Sequence, residues 1–107
     1  MRLSKSDIRK NIRDVSGKIM PPGAQVILFG SQARGDARPD SDWDILILLN
    51  KNKIDASDHD KYCYPLFELG WTIDEQIHPI IYTLSDWEKH RNTLLFNNIR
   101  REGVKIC

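Results

Sequence analysis

The sequence predicts a small α/β (α+β) protein in which a mixed β-sheet is flanked by helices, in the order αβαβαβα. Three short apolar runs rich in β-formers, Ala24 to Phe29, Trp43 to Leu49 and Ile73 to Thr83, supply the strands. The intervening segments carry apolar residues at helical spacing behind capping residues. Short connections leave these helices no choice but to pack against the sheet.

Ser4 or Ser6 caps a first helix, since Ile8, Ile12, Val15 and Ile19 then share one face, and Pro21-Pro22-Gly23 ends it. Ala24 to Phe29 is a short buried strand, and Gly30-Ser31 opens about one helical turn through Arg34. After a loop to Ser41, Trp43 to Leu49 is apolar on both faces, which places it centrally in the sheet. Asp55 or Ser57 caps a helix to about Leu69, with Pro65 expected to split or kink it. Pro79 assigns the third strand, Ile73 to Thr83, to an edge or a bulge. Ser85-Asp86-Trp87-Glu88 reads as a capping box that introduces helical segments ending near Gly103.

Residues 1–107 are expected to form one domain with a modest core. Sixteen Lys+Arg against fifteen Asp+Glu leave a charge of +1, so nothing in the balance calls for nucleic acid or an anionic membrane. Cys63 and Cys107 stand too far apart in the sequence to suggest a disulfide or zinc site, which points to a reducing, cytoplasmic setting. Met1 to Lys5 carries no apolar leader core, and the longest apolar run, Ile45 to Leu49, is too short to span a bilayer.

The chemistry concentrates in Phe29 to Leu49, FGSQARGDARPDSDWDILILL. Asp42 and Asp44 lie two apart on a strand, so both carboxylates leave one face, where they repel each other unless a cation is held between them. Oxygen ligands on one face suit a hard divalent ion, Mg²⁺ first. Gly30 lets backbone approach a ligand, and Ser31 starts a helical turn with free N–H groups, a cradle for phosphate. Arg34 and Arg38 stand between cradle and carboxylates, Arg34 as a further phosphate contact and Arg38, beside Pro39, as a solvated loop residue.

Gly30-Ser31, ten intervening residues, then Asp42-Trp43-Asp44-Ile45 resembles the signature of the polymerase β nucleotidyltransferase superfamily. The longer form, from Phe29 to Gly35 followed by Ser41 to Asp44, is similar to its minimal nucleotidyltransferase (MNT) branch. The resemblance implies transfer of a nucleotidyl group, AMP first, from ATP or another nucleoside triphosphate to a hydroxyl of a protein or small molecule. Two Mg²⁺ ions would be held by Asp42 and Asp44, the catalytic pair, with phosphates on Gly30, Ser31 and Arg34. It also implies pairing with a small helical HEPN-type protein, as antitoxin to toxin. Such families supply a third carboxylate from the next strand, and this chain departs from that pattern. The position between Ile77 and Pro79 is His78; Asp74 shares its strand parity, Glu75 does not, and an absent third ligand is the remaining alternative.

Other readings are plainer. GSQARGD falls short of a Walker A loop because Asp36 stands where lysine is required. Trp43 faces away from the aspartates into the core; Trp71, Trp87, Tyr62, Phe67 and Phe96 read as packing residues, while His59 and His90 face water. Neither cysteine has a reason to be reactive. Against the enzyme stands a binding module: a chain without its third carboxylate that serves by holding a nucleotide or a partner. Nucleic-acid polymerisation is disfavoured, since nothing is left over to hold a template.

Overall fold

The computed structural model describes residues 3–107. Met1 and Arg2, read above as part of a leaderless amino terminus, lie outside the described residues. Helix α1 (Lys5–Ile19) is capped by Ser4, whose Oγ accepts from the Asp7 N–H at 3.1 Å, and it buries Ile8 and Ile12. Strand β1 (Gln25–Phe29) leads through the single turn α2 (Ser31–Arg34) and a loop to β2 (Trp43–Leu49). The strands β1 and β2 pair antiparallel, while β2 and β3 (Ile77–Thr83) pair parallel, so the sheet is mixed, as expected. Its order is β3-β2-β1-β4, and Pro79 does sit on an edge strand. The last strand, β4 (Val104–Lys105), was not expected; two exposed residues paired to Ile27 and Leu28 leave no pattern to read.

Both faces of β2 are buried against different layers. Trp43, Ile45, Ile47 and Leu49 join Val26, Leu28, Ile77 and the apolar faces of α1 and α4. Leu46 and Leu48 point the other way, onto Trp87, Phe96 and Ile99 of α5 (Leu84–Glu88) and α6 (Leu94–Glu102). Each such side chain contributes roughly 1.5–3 kcal/mol on transfer from water, so β2 is the element that joins the two halves of the core.

The second helical region starts at Asp55, which forms a reciprocal capping box with Asp58 at the head of α3 (Ala56–Asp58). A π-helical turn, His59–Cys63, follows, and α4 (Tyr64–Ile73) resumes with Pro65 in its first turn. Proline has no N–H to close an α-helical bond, and the widened turn, with Tyr64 N–H reaching the His59 carbonyl, accommodates it. The expected break at Pro65 is therefore real.

Four details differ from expectation. Asp74 takes a left-handed conformation (φ 58°) that caps α4, so β3 begins at Ile77 and not at Ile73. Thr83, at the end of β3, caps α5 with its Oγ1 accepting from Asp86 N–H at 3.0 Å, which leaves Ser85 inside the helix. Trp71 is 67% exposed and packs edge-on against Tyr64, whereas His90, expected in water, packs beside Tyr82 and Trp87. Cys63 is buried and unbridged, and burial pushes its thiol up to about 11, which leaves it unreactive. Among the described residues no helix is long and apolar enough to cross a membrane.

Lys51 donates to Asp55 (3.2 Å) and Asp58 (2.8 Å), clamping the α3 cap. The Ser57 hydroxyl, and then Lys51, lower Asp55 to about 2. Burial opposes ionisation of Asp58, but Lys51 and the Asp55 N–H outweigh it and hold that carboxyl below its ordinary value too. A depressed carboxylate stabilises the fold fully above its unfolded pKa, near 4, and loses that contribution as pH falls toward its folded value. Lys51→Met should therefore move the acid-unfolding midpoint to higher pH, read by far-UV circular dichroism between pH 5 and 2. Coincident curves would remove the clamp from the stability of this cap.

Candidate active site

The loop into β2 is held at several points. Gln32 is buried in α2 and donates through Nε2 to the Ser41 carbonyl at 3.2 Å, and the Trp43 N–H donates to the Gln76 carbonyl at 2.8 Å. Trp43 Nε1 also donates to the Glu75 carboxylate at 3.3 Å, deep in the core. Asp42 is thus anchored on both sides in sequence, with Trp43 turned inward as expected. Gln32 was not singled out from sequence, because an amide between Ser31 and Ala33 carries no pattern of its own.

Register does the rest. Phe29 pairs with Asp44 across the antiparallel ladder, and Asp44 pairs with His78 across the parallel one. The face that buries Leu46 and Leu48 ends at Asp44, beyond the reach of α5 and α6, and there it opens to solvent. Gly30 immediately follows β1, with φ 77° and ψ −160°, a region that glycine alone occupies readily. A methyl group added there would stand 2.5 Å from Asp44 Oδ2, so the Asp44 carboxylate occupies the space that a side chain at position 30 would fill. In the turn that follows, the Gly30 carbonyl accepts from Ala33 and Arg34, whereas the Ser31 and Gln32 amides, at its head, have no acceptor within it.

The sequence-named residues are partly gathered. Asp44, Gly30 and Ser31 are adjacent; Asp42 joins them through His78, whose Nδ1 is 3.8 Å from Asp42 Oδ2. The Asp44 pKa is raised, first by desolvation and then by repulsion from Asp42, with His78 pulling the other way. Arg34 lies apart, paired at 3.2 Å with both Asp36 and Glu102, so a phosphate would have to draw it from carboxylate partners. Asp74, as the helix cap, is off the strand and lines a neighbouring cleft of about 470 Å³ with Asp40, Ser41, Trp71 and Gln76. It is removed from the ligand position that strand parity suggested, and Glu75 is engaged by Trp43.

No three-ligand metal cage stands preformed among the described residues. The donor set nonetheless suits a divalent cation: Asp44 on β2 and Asp42 just before it carry carboxylates near enough for one to repel the other, and Asp44 is desolvated as well. Oxygen donors beside backbone N–H groups at the head of a helical turn can hold a cation and the phosphate oxygens it neutralises together.

The chain belongs to the nucleotidyltransferase domain family, whose sequence model matches residues 7–102. In fold it is similar to a chain of a toxin–antitoxin complex crystallised with AMP-PNP, at 18% identity and a TM-score of 0.65 over 92% of this chain and 72% of that one. It is also similar to a chain of the Shewanella oneidensis complex of a tri-AMPylated HEPN toxin with its MNT antitoxin (16% identity, TM-score 0.60, 97% and 72% covered). A candidate nucleotidyltransferase from Sulfolobus solfataricus matches at 19% identity and a TM-score of 0.53, over 94% and 80%. A search of curated proteins produced no match.

The Gly30 geometry has a measurable consequence. Gly30→Ala should lose about 1–3 kcal/mol from backbone strain, and more because the Asp44 carboxylate must move. Gly35→Ala is the control, since Gly35 also has positive φ (86°) but nothing within 4 Å of an added methyl. Urea unfolding of both variants should show Gly30→Ala as the more destabilised; equal losses would mean that Asp44 is free to leave Gly30 without cost.

Proposed function

We propose that this protein is a divalent-cation-dependent nucleotidyltransferase that moves AMP from ATP to a hydroxyl of a helical protein partner of the HEPN type. The observation that carries the reading is the seating of the Asp44 carboxylate against Gly30, which supports a cation ligand beside a phosphate cradle. Family membership supports the reaction class. The AMP-PNP of one structural neighbour and the tri-AMPylated HEPN toxin of another support donor and acceptor.

In this reading Asp42 and Asp44 are the residues that would hold Mg²⁺ beside the triphosphate. When bound, the ions neutralise phosphate charge and lower the pKa of the attacking hydroxyl. The Ser31 hydroxyl and the Ser31 and Gln32 N–H groups orient the outer phosphates, which keeps the α-phosphorus toward the open side of the site. The acceptor oxygen gives up its proton to solvent water and bonds to that phosphorus as the bond from the phosphorus to the oxygen bridging to the β-phosphate breaks, and pyrophosphate leaves on that oxygen. Gln32 acts at one remove, fixing Ser41 and hence the start of β2.

The partner surface in this proposal is the outer face of α4. Tyr64, Phe67 and Trp71 recur there at helical spacing, all exposed. Trp71 also lines the acidic cleft of Asp40 and Asp74, next to Asp42. A partner helix seated on the aromatics would lay a basic segment in that cleft and carry its acceptor hydroxyl to the site.

Purified protein should transfer label from α-labelled ATP to its neighbour-encoded partner, with the cation supplied in turn as Mg²⁺ and Mn²⁺. Asp42→Asn/Asp44→Asn should abolish transfer, by at least about 10³-fold, while both proteins still copurify. The second reading, a binding module, is favoured by one observation, that a histidine stands where a third carboxylate would be. Tight copurification with no label transfer under either ion would establish it in place of the enzyme. Phe67→Ala/Trp71→Ala should weaken partner binding by about tenfold or more, as for other buried aromatic anchors, and leave nucleotide affinity unchanged. Undiminished binding would place the partner elsewhere.

A further inference from the structure

Away from Asp44 and Gly30, the second core layer is under-filled. Helices α5 and α6 are short, and beyond Leu46 they cover the far half of the sheet only thinly. Leu48, Trp87, Phe96 and Ile99 keep between 4% and 8% exposure, whereas Val26, Leu28, Ile45 and Ile47 of the opposite layer keep none. The exposed remainder faces a cleft of about 420 Å³, bounded by Ile27 and Leu48 on the sheet, Leu84 and Trp87 on α5, and Phe96 and Ile99 on α6. Trp87 and Phe96 stand 5.1 Å apart between ring centroids and tilted by 32°, which makes one wall aromatic. Such a volume lies within the range of small-molecule sites, roughly 300–1,000 Å³.

The rim gives this cleft a sign. Lys105 pairs with Ile27 between β4 and β1, so its side chain leaves the same sheet face, and Arg100 stands one helical turn beyond Phe96. Both line the cleft, both are exposed, and neither has an acidic partner among the described residues. The acid at the rim, Glu88, is already paired with Arg91 at 2.9 Å. Apolar walls beside two uncommitted cations are complementary to a molecule with an apolar body and an anionic end. A carboxylate there accepts hydrogen bonds from Arg100 and Lys105, while the chain behind it takes apolar surface of Trp87 and Phe96 out of water. We propose that this cleft binds a small amphipathic anion, a medium-length acyl chain that ends in one carboxylate. The proposal is independent of the nucleotidyltransferase reading, since the cleft shares no residue with Asp42, Asp44, Gly30 or Ser31.

The test uses octanoate as the probe, with the full chain and no nucleotide. Calorimetric titration should give one saturable site, and 1-octanol and octyltrimethylammonium should bind at least about tenfold more weakly, the scale of a lost charge-assisted hydrogen bond. In methyl-labelled protein, octanoate should shift the Ile27, Leu48, Leu84 and Ile99 resonances and spare Ile45 and Ile47 in the other layer. Arg100→Gln/Lys105→Gln, at two exposed positions, should weaken octanoate about tenfold and leave 1-octanol unchanged. Leu84→Trp, which puts a larger ring on a half-buried wall of the cleft, should exclude both; if it fails to fold, the rim variants carry the test. No saturable binding, equal affinity for octanoate and octyltrimethylammonium, or shifts outside the cleft would overturn the proposal. Sedimentation equilibrium should give a monomer that octanoate leaves unchanged. A dimer that octanoate dissociates would put a second copy of the chain in the cleft and overturn the proposal as well.

Discussion

The seating of one carboxylate against one glycine organises this end of the molecule. Asp44 fills the volume that any other residue at position 30 would claim, and Gly30 in turn adopts a conformation that other residues avoid. Neither feature is stable alone: the carboxylate is poorly solvated and repelled by Asp42, and the backbone is unusual. They persist because the antiparallel ladder between β1 and β2 fixes Phe29 opposite Asp44, one residue before the glycine.

That ladder is affordable because β2 is anchored from both sides. Trp43, Ile45, Ile47 and Leu49 hold it to α1 and α4, while Leu46 and Leu48 hold it to α5 and α6. Asp44 is the one even-numbered position that the second layer does not cover. The charge is tolerated there, and the transition from core to site takes a single step of the strand's alternation.

Most of this was legible in the sequence. A serine cap at Ser4 or Ser6, which the structure settles as Ser4, β2 to its exact ends, the turn at Ser31, the inward Trp43 and the trouble at Pro65 all follow from local chemistry. What failed to show were features settled by neighbours distant in the chain. Asp74 has the right parity for a strand, but α4 runs on to Ile73 and uses it as a left-handed cap. Thr83 outcompetes Ser85 as a cap because the end of β3 already has the extended geometry a cap requires. Trp71 and His90 exchange expected environments because hydrophobicity alone does not say which face of a helix meets a neighbour. Gln32 and the β4 pairing depend on contacts that no local pattern encodes.

Pro79, next to His78 on the edge strand, reaches beyond its own position. A proline there cannot offer an outward N–H to another chain, so a visiting strand cannot zip along this margin of the sheet. The same ring therefore guards this margin of the sheet against fibril-like stacking.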